Sequence, residues 1–243
     1  MVRTALWLGF FGAILGAWAI MISMAQMSGV DWLGRPVGMS MMPMTTFGAL
    51  LPMWAVMMAA MMMPTLVPTL ASYDGLMRSA GATRAGWLGV LGGYMAVWLG
   101  VALVISALQA ALVSSGVLDG LGRAPALVSA ALLVLVGLYQ FTRLKEVCHG
   151  VCHQPTLYFM GRWRPGLMGG ARMGAGLGGF CAGCCWGFMA LGFVGGTMSL
   201  AWMVGATVLM VLEKLPQIGH HLLRPVGAAL LAGGLALGAL ALY

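Results

Sequence analysis

The stretch GWLGVLGGYMAVWLGVALVISALQAALV, residues 86–113, contains no charged side chain. A helix needs about 20 apolar residues to cross the hydrocarbon core of a bilayer, and this stretch is longer than that. Comparable apolar runs recur along the chain, and they predict seven membrane-spanning helices. The approximate bounds of these spans are 5–27, 46–70, 86–113, 124–142, 173–196, 199–215 and 222–242.

The composition supports the same class of protein. Of 243 residues, 61% are hydrophobic and only 7% are charged, whereas a soluble domain has about 25% charged residues. A spanning helix satisfies its own backbone hydrogen bonds, so we predict an all-α transmembrane bundle that forms one domain over residues 1–243. The net charge of +7 is interpreted as loops that face anionic lipid, and nucleic acid is excluded as a partner.

Lysine and arginine are distributed unevenly among the predicted loops. With the N-terminus inside, only Arg35 and Arg123 fall in outer loops. The ten residues in inner loops are Arg3, Arg78, Arg84, Arg143, Lys145, Arg162, Arg164, Arg172, Lys214 and Arg224. Because cytoplasmic loops carry an excess of these residues, we predict that the N-terminus lies inside and the C-terminus outside. The inner segment 143–172 is predicted to be amphipathic and to lie in the membrane interface.

All five cysteines lie in two short motifs. The motifs read Cys148-His149-Gly150-Val151-Cys152-His153 and Cys181-Ala182-Gly183-Cys184-Cys185. Thiolates and imidazoles are ligands of soft metals, and the predicted orientation places both motifs near the reducing side, where disulfides are uncommon. We predict a soft-metal or redox site formed by Cys148, Cys152, Cys181, Cys184 and Cys185. The alternative is that these cysteines are small buried apolar residues.

The second motif has a distinctive arrangement on a helix. Its three cysteines fall within an arc of roughly 100° when successive residues turn by about 100°. Gly179, Gly183 and Gly187 fall on the opposite face. Glycine at every fourth position allows another helix to approach closely. This pattern predicts that the glycine face packs against a neighbouring helix and that the cysteine face points inward.

Histidines and one glutamate extend the candidate site. His149 and His153 are four residues apart and share a helix face, so we predict that they are secondary metal ligands. The alternative is that they contact lipid headgroups or water. Glu213, His220 and His221 lie near the inner end of the sixth predicted span and are candidates for a second layer around the metal. The alternative for Glu213 is an interfacial ion pair with the adjacent lysine.

Methionine is unusually abundant, with 23 residues in the chain. The outer loop reads Met39-Ser40-Met41-Met42-Pro43-Met44, and the second span carries Met57 and Met61 on one helical face. Thioethers bind Cu(I) but hold hard cations poorly. We therefore predict that the loop methionines Met39, Met41, Met42 and Met44 capture Cu(I) and that the stripe continues toward the thiols. The alternative for the stripe is flexible apolar packing.

The chain resembles a bacterial family of predicted metal-binding integral membrane proteins. This family is catalogued as a domain of unknown function, and some of its members are labelled copper chaperones. The resemblance covers about residues 46–225. The motifs that carry it are Trp54-Ala55-Val56-Met57-Met58-Ala59-Ala60-Met61-Met62-Met63-Pro64, the segment from Tyr139 to Pro155, Gly178-Gly179-Phe180-Cys181-Ala182-Gly183-Cys184-Cys185-Trp186 and Glu213-Lys214. It implies metal binding in a bacterial cytoplasmic membrane.

Together these observations predict a membrane protein that binds a soft metal, with Cu(I) favoured over zinc and haem. We expect it to handle or deliver the ion, with a membrane oxidase, a monooxygenase or a soluble metallochaperone as partner. A binding role is favoured over an enzymatic one, and no catalytic residue is assigned. One alternative is a quinone-linked thiol–disulfide oxidoreductase that uses Cys184 and Cys185. Another is an accessory subunit that binds a cofactor through its histidines.

Overall fold

The computed structural model describes residues 2–38, 45–76, 81–215 and 218–242, and these residues form ten α-helices. The helices are α1 Val2–Met27, α2 Phe47–Leu76, α3 Arg84–Ser114, α4 Ala126–Tyr139, α5 Arg143–His153, α6 Pro155–Arg162, α7 Gly166–Ala190, α8 Gly192–Gly195, α9 Leu200–Glu213 and α10 Gly219–Leu242. The predicted all-α fold is confirmed over the described part of the chain.

The number of helices that can cross a membrane is smaller than predicted. Within the part of the chain that the structure describes, five are long and apolar enough: α1, α2, α3, α10 and the helix formed by α7 with α8. Helices α4 and α5 form a pair bent by 67°, which gives six if the pair counts as one span. Helix α9 has 14 residues and is therefore about 21 Å long, shorter than a hydrocarbon core of about 30 Å. The predicted count of seven is not confirmed, because the runs at 124–142 and 199–215 give short helices.

The bend between α4 and α5 has a local cause in the sequence. The side chain of Thr142 accepts a hydrogen bond from the backbone N–H of Lys145 at 3.3 Å, so Thr142 starts a new helix. Such a cap satisfies one of the free donors of the first turn. The chain therefore turns after Tyr139 and brings the first cysteine motif back against the bundle.

The predicted interfacial segment 143–172 consists of α5, α6 and the first turns of α7, which begins at Gly166. Helix α5 is amphipathic in an unusual sense, because its buried face is formed by polar residues and cysteines. These are Lys145, Cys148, His149 and Cys152. Leu144 and Val147 lie on the outer face and are 62% and 60% exposed. An apolar outer face is typical of a helix that contacts lipid.

Helices α3 and α7 make the closest helix contact around the site. A Cβ atom at Gly93 would overlap the backbone carbonyl of Ala171, and one at Gly174 would overlap the backbone carbonyl of Val90. Small residues allow this approach of two backbones. The contact fixes α7 against α3 and places the Tyr94 hydroxyl 2.9 Å from the Cys181 sulfur.

The predicted glycine face of α7 is only partly used for packing. Gly183 lies against the Cys148 side chain, and Gly187 lies against Val136 of α4. At Gly179, a Cβ atom would have no neighbour within 4 Å among the described residues. The prediction is therefore wrong for Gly179, because the glycines that face the closest neighbouring helix, α3, are Gly170, Gly174 and Gly178.

Candidate metal centre

Three cysteine sulfurs converge inside the bundle. They belong to Cys152 on α5 and to Cys181 and Cys184 on α7, and all three lie within 4.8 Å of one another. The Cys184 and Cys152 sulfurs are 3.9 Å apart. All three side chains are buried. The two cysteine motifs therefore meet, because the bend after α4 returns α5 to the side of α7.

The other two cysteines, Cys185 and Cys148, differ in their distance from this trio. The Cys185 sulfur is 3.2 Å from the Cys184 sulfur and 4.0 Å from the Cys181 sulfur. It is therefore adjacent to the trio. The Cys148 sulfur lies against Gly183 instead. The roles of Cys185 and Cys148 in binding stay predictions.

Lys214 directs its ammonium group into the thiol cluster. Its Nζ lies 3.1 Å from the Cys181 sulfur and 2.8 Å from the Thr65 hydroxyl oxygen. It also lies 3.4 Å from the hydroxyl of Tyr94. An ammonium group only donates hydrogen bonds, so the Cys181 sulfur is the acceptor. A buried cation beside a thiol favours the thiolate, which is the form that binds metals.

A second buried lysine contacts the backbone of Cys184. The Nζ of Lys145 donates to the Glu213 carboxylate at 2.8 Å and to the Cys184 carbonyl oxygen at 2.8 Å. The Lys145 and Glu213 side chains are 0% and 2% exposed. Glu213 therefore pairs with Lys145 and not with its sequence neighbour Lys214. This pair joins α5, α7 and α9 around the cysteine sulfurs.

His149 is held by the same end of α9. Its Nε2 atom lies 2.7 Å from the Glu213 backbone carbonyl oxygen. Because a carbonyl only accepts, Nε2 carries the proton and Nδ1 keeps a lone pair. The His149 ring stacks on His153, with ring centroids 5.3 Å apart. The hydrogen bond explains the position of His149 without a metal, so its role as a ligand stays a prediction.

A polar groove lies between helix α5 and the start of helix α10. It has a volume of about 750 Å³ and is lined by all four histidines, His149, His153, His220 and His221, together with Glu146 and Arg224. His149 and His153 stand on the same short helix as Cys152. The lining of the groove includes neither Cys152 nor the cysteines of α7.

The methionine predictions fall in two different regions. Met39, Met41, Met42 and Met44 lie outside the described residues. Met57 and Met61 lie on α2, where they are 4% and 3% exposed. Both line a small cavity between helices α2, α7 and α9.

Sequence reasoning missed the roles of Lys145, Lys214, Tyr94 and Thr65. The two lysines were assigned to loops, yet both are buried beside the cysteines. A usable signal was present for Lys145, which precedes Cys148 by three residues and Cys152 by seven and so shares their helix face. The other signal was Lys214 at the end of an apolar helix, since an ionisable residue there needs a buried partner.

Long apolar helices around three buried cysteine sulfurs define a helical membrane protein with a site that can bind a metal ion. The model of the PpoB2 family, which is described as a copper chaperone, matches residues 51–237. This match covers more than half of the chain, and the protein belongs to this family. The predicted family resemblance is confirmed. No curated protein and no solved structure matches the chain.

Proposed function

We propose that the protein binds Cu(I) as cargo within a bacterial cytoplasmic membrane and delivers it to a protein partner. The observation that supports this most is the convergence of the Cys152, Cys181 and Cys184 sulfurs within 4.8 Å. Three thiolates arranged around one ion at about 2.3 Å would be about 4 Å apart. The distance of 3.9 Å between the Cys184 and Cys152 sulfurs fits this arrangement.

The buried ammonium groups around the site offset part of the negative charge of a thiolate complex. Three thiolates and one Cu(I) ion leave excess negative charge, which is costly in a buried place. The ammonium groups of Lys214 and Lys145 lie next to Cys181 and Cys184 and offset that charge. Glu213 in turn pairs with Lys145, so the two lysines offset part of this excess negative charge and not all of it.

In this proposal, the polar groove is the place where the copper ion is delivered to a partner. A membrane oxidase, a monooxygenase or a soluble metallochaperone would dock there and receive the ion. His149 and His153 line the groove and stand on the same helix as Cys152. Their imidazoles are suitable transient ligands for copper, so the ion would pass from thiolates to imidazoles before it reaches the partner.

The test is the copper content of the full-length protein, purified under reducing conditions from copper-replete cells. We expect copper in the wild type and one copper ion per chain fewer in the triple variant Cys152→Ser/Cys181→Ser/Cys184→Ser. Cys148→Ser is the matched control, because its sulfur lies against Gly183 and outside the trio. Copper-free wild type, or unchanged copper content in the triple variant, would refute the proposal.

The close pair Cys184 and Cys185 supports a second candidate, a thiol–disulfide oxidoreductase. Their sulfurs are 3.2 Å apart. Oxidation would join them in a disulfide and release two protons and two electrons, which a membrane quinone would accept. A count of free thiols after incubation with a quinone decides between the candidates. This enzyme would lose two of its five thiols, whereas a copper carrier would keep all of them.

A further inference from the structure

Four methionines from three helices surround one small cavity in the bundle. Met57 and Met61 come from α2, Met189 from α7 and Met203 from α9. Their exposed fractions are only 3–4%. The cavity has a volume of about 10 Å³. A space of about 10–15 Å³ holds the centre of one water molecule, so this cavity suits a single small ion.

The lining of the cavity selects the kind of ion. It is lined by the four methionines, by the aromatic residues Phe188 and Trp202, and by Gly192, Gly196 and Thr197. Thioethers are neutral soft ligands that bind Cu(I) and hold hard cations poorly. Aromatic rings add attraction for a cation that has lost its water. Methionines also serve as flexible filling in apolar cores, but filling by itself does not require four sulfur side chains around one cavity.

Each of the three helices places the cavity on the same side of the cysteine trio. On α7, Met189 follows Cys185 by one helical turn, about 6 Å along the axis. On α2, Met61 precedes Thr65 by one turn, and the Thr65 hydroxyl accepts from Lys214 beside Cys181. On α9, Met203 precedes Lys214 by about three turns. The cavity therefore lies between the trio and the loop at Gly196, which also lines it.

We propose that Met57, Met61, Met189 and Met203 form a second Cu(I) site that passes the ion to the cysteine trio. Neutral thioethers bind Cu(I) less tightly than thiolates compensated by lysines, so transfer toward the cysteines is downhill. No electron is exchanged in this step, since thioether–copper bonds are replaced by thiolate–copper bonds. This inference rests on the proposed function, because it takes Cu(I) as the cargo.

The first test measures how many Cu(I) ions the detergent-purified full chain binds in competition with a Cu(I) chelator. We expect the variant Met57→Leu/Met61→Leu/Met189→Leu/Met203→Leu to bind one ion fewer than the wild type. Leucine conserves apolar volume, so the bundle should stay folded. The matched control replaces four buried methionines outside the cavity, Met21, Met53, Met58 and Met173, with leucine. An unchanged number of ions in the cavity variant would overturn the inference.

The second test separates this inference from the proposed function. In the triple cysteine variant, the cavity should still bind its ion, and the cysteine site should bind none. If only the cysteine variant loses an ion, the proposed function stands and the cavity site fails. If only the cavity variant loses one, the proposed function fails instead.

A third measurement detects the ligand atoms of the bound copper directly. Copper X-ray absorption of selenomethionine-labelled protein should show only sulfur neighbours at one ion per chain and should gain selenium neighbours at higher loading. The cavity variant, labelled in the same way, should lose this selenium signal or most of it. Copper neighbours that never include selenium would overturn the inference.

Discussion

The ammonium nitrogen of Lys214 lies 3.1 Å from the sulfur of Cys181, across 33 positions of the sequence. Lys214 directly follows α9, and Cys181 stands in the middle of α7. The contact shows that the end of α9 is part of the cysteine site. A buried ammonium needs a partner of opposite charge, and the Cys181 thiolate is the acceptor best placed to provide it.

The first prediction is that Lys214→Met weakens Cu(I) binding. Hydrogen bonds to charged groups contribute about 1.5–3 kcal/mol, which corresponds to a roughly 10- to 100-fold rise in the Kd for Cu(I). The measurement is a competition titration with a Cu(I) chelator in detergent. Thr65→Val is the control, since it removes a neutral partner of Lys214 and leaves the charge in place. Its Kd should change less, and equal effects would contradict the charge argument.

The second prediction concerns the buried pair of Lys145 and Glu213. Glu213→Gln leaves a buried ammonium without its counter-ion, and we expect a loss of about 3–5 kcal/mol in the free energy of unfolding. The double variant Lys145→Met/Glu213→Leu removes both charges and should recover most of that stability. Thermal unfolding of the three proteins in one detergent gives the comparison. A double variant as unstable as Glu213→Gln would contradict this account.

Recovered stability in that double variant should not restore copper binding. Lys145 also contacts the Cys184 carbonyl oxygen, so its charge is part of the field around the thiolates. A variant that folds well and binds Cu(I) weakly would separate the two roles of the pair. If the double variant kept full affinity for copper, the pair of Lys145 and Glu213 would only stabilise the fold and would have no role in copper binding.

The sequence predicted the helical membrane fold and the meeting of the two cysteine motifs, because both follow from local patterns. Apolar runs identify long helices, and the motifs border the same predicted loop. The span count was harder to predict, since hydropathy does not show that Thr142 starts a new helix or that α9 is only 14 residues long. A bend and a short helix depend on packing against the rest of the bundle.

The partners within the site could not be predicted for a related reason. Glu213 and Lys214 are adjacent in sequence, which suggested that they pair with each other. Adjacent residues on a helix point in directions about 100° apart, so each meets a different neighbour. Which neighbour that is depends on the positions of α3, α5 and α7, and no pattern in the sequence fixes these positions.

The third prediction tests the close contact of α3 and α7. Gly93→Ala would place a methyl group on the backbone carbonyl of Ala171, so the helices must move apart. Overpacking of this kind costs about 1–3 kcal/mol and should lower the unfolding temperature. Gly92→Ala is the matched control in the same helix, because its Cβ would have no described atom within 4 Å. Equal unfolding temperatures for the two variants would contradict the packing described for α3 and α7.

The substitution Gly93→Ala should also change the geometry of the cysteine site. Tyr94 follows Gly93 on α3 and contacts the Cys181 sulfur at 2.9 Å. Displacement of α3 would lengthen this contact. It would also move the Tyr94 hydroxyl, which accepts a hydrogen bond from Lys214. We therefore expect Gly93→Ala to weaken Cu(I) binding as well as stability, while Gly92→Ala keeps the wild-type affinity.

The last prediction concerns the orientation of the protein in the membrane. This orientation is inferred from the positive charge of the loops. Two of the ten positive residues assigned to inner loops, Lys145 and Lys214, are buried in the bundle, and eight remain against Arg35 and Arg123. The excess still favours the N-terminus inside. A membrane-impermeant thiol reagent applied to intact cells should label Ser115→Cys and should not label Gly161→Cys.

Both positions are exposed in the structure, and Ser115 lies between α3 and α4 while Gly161 lies in α6. A Cβ at Gly161 would have no described atom within 4 Å, so a cysteine fits there without strain. The five native cysteines are buried and should add little background. Permeabilised cells provide the control, since both variants should then be labelled. Labelling of Gly161→Cys alone in intact cells would reverse the orientation, and the methionine cavity would then lie on the cytoplasmic side of the cysteine trio.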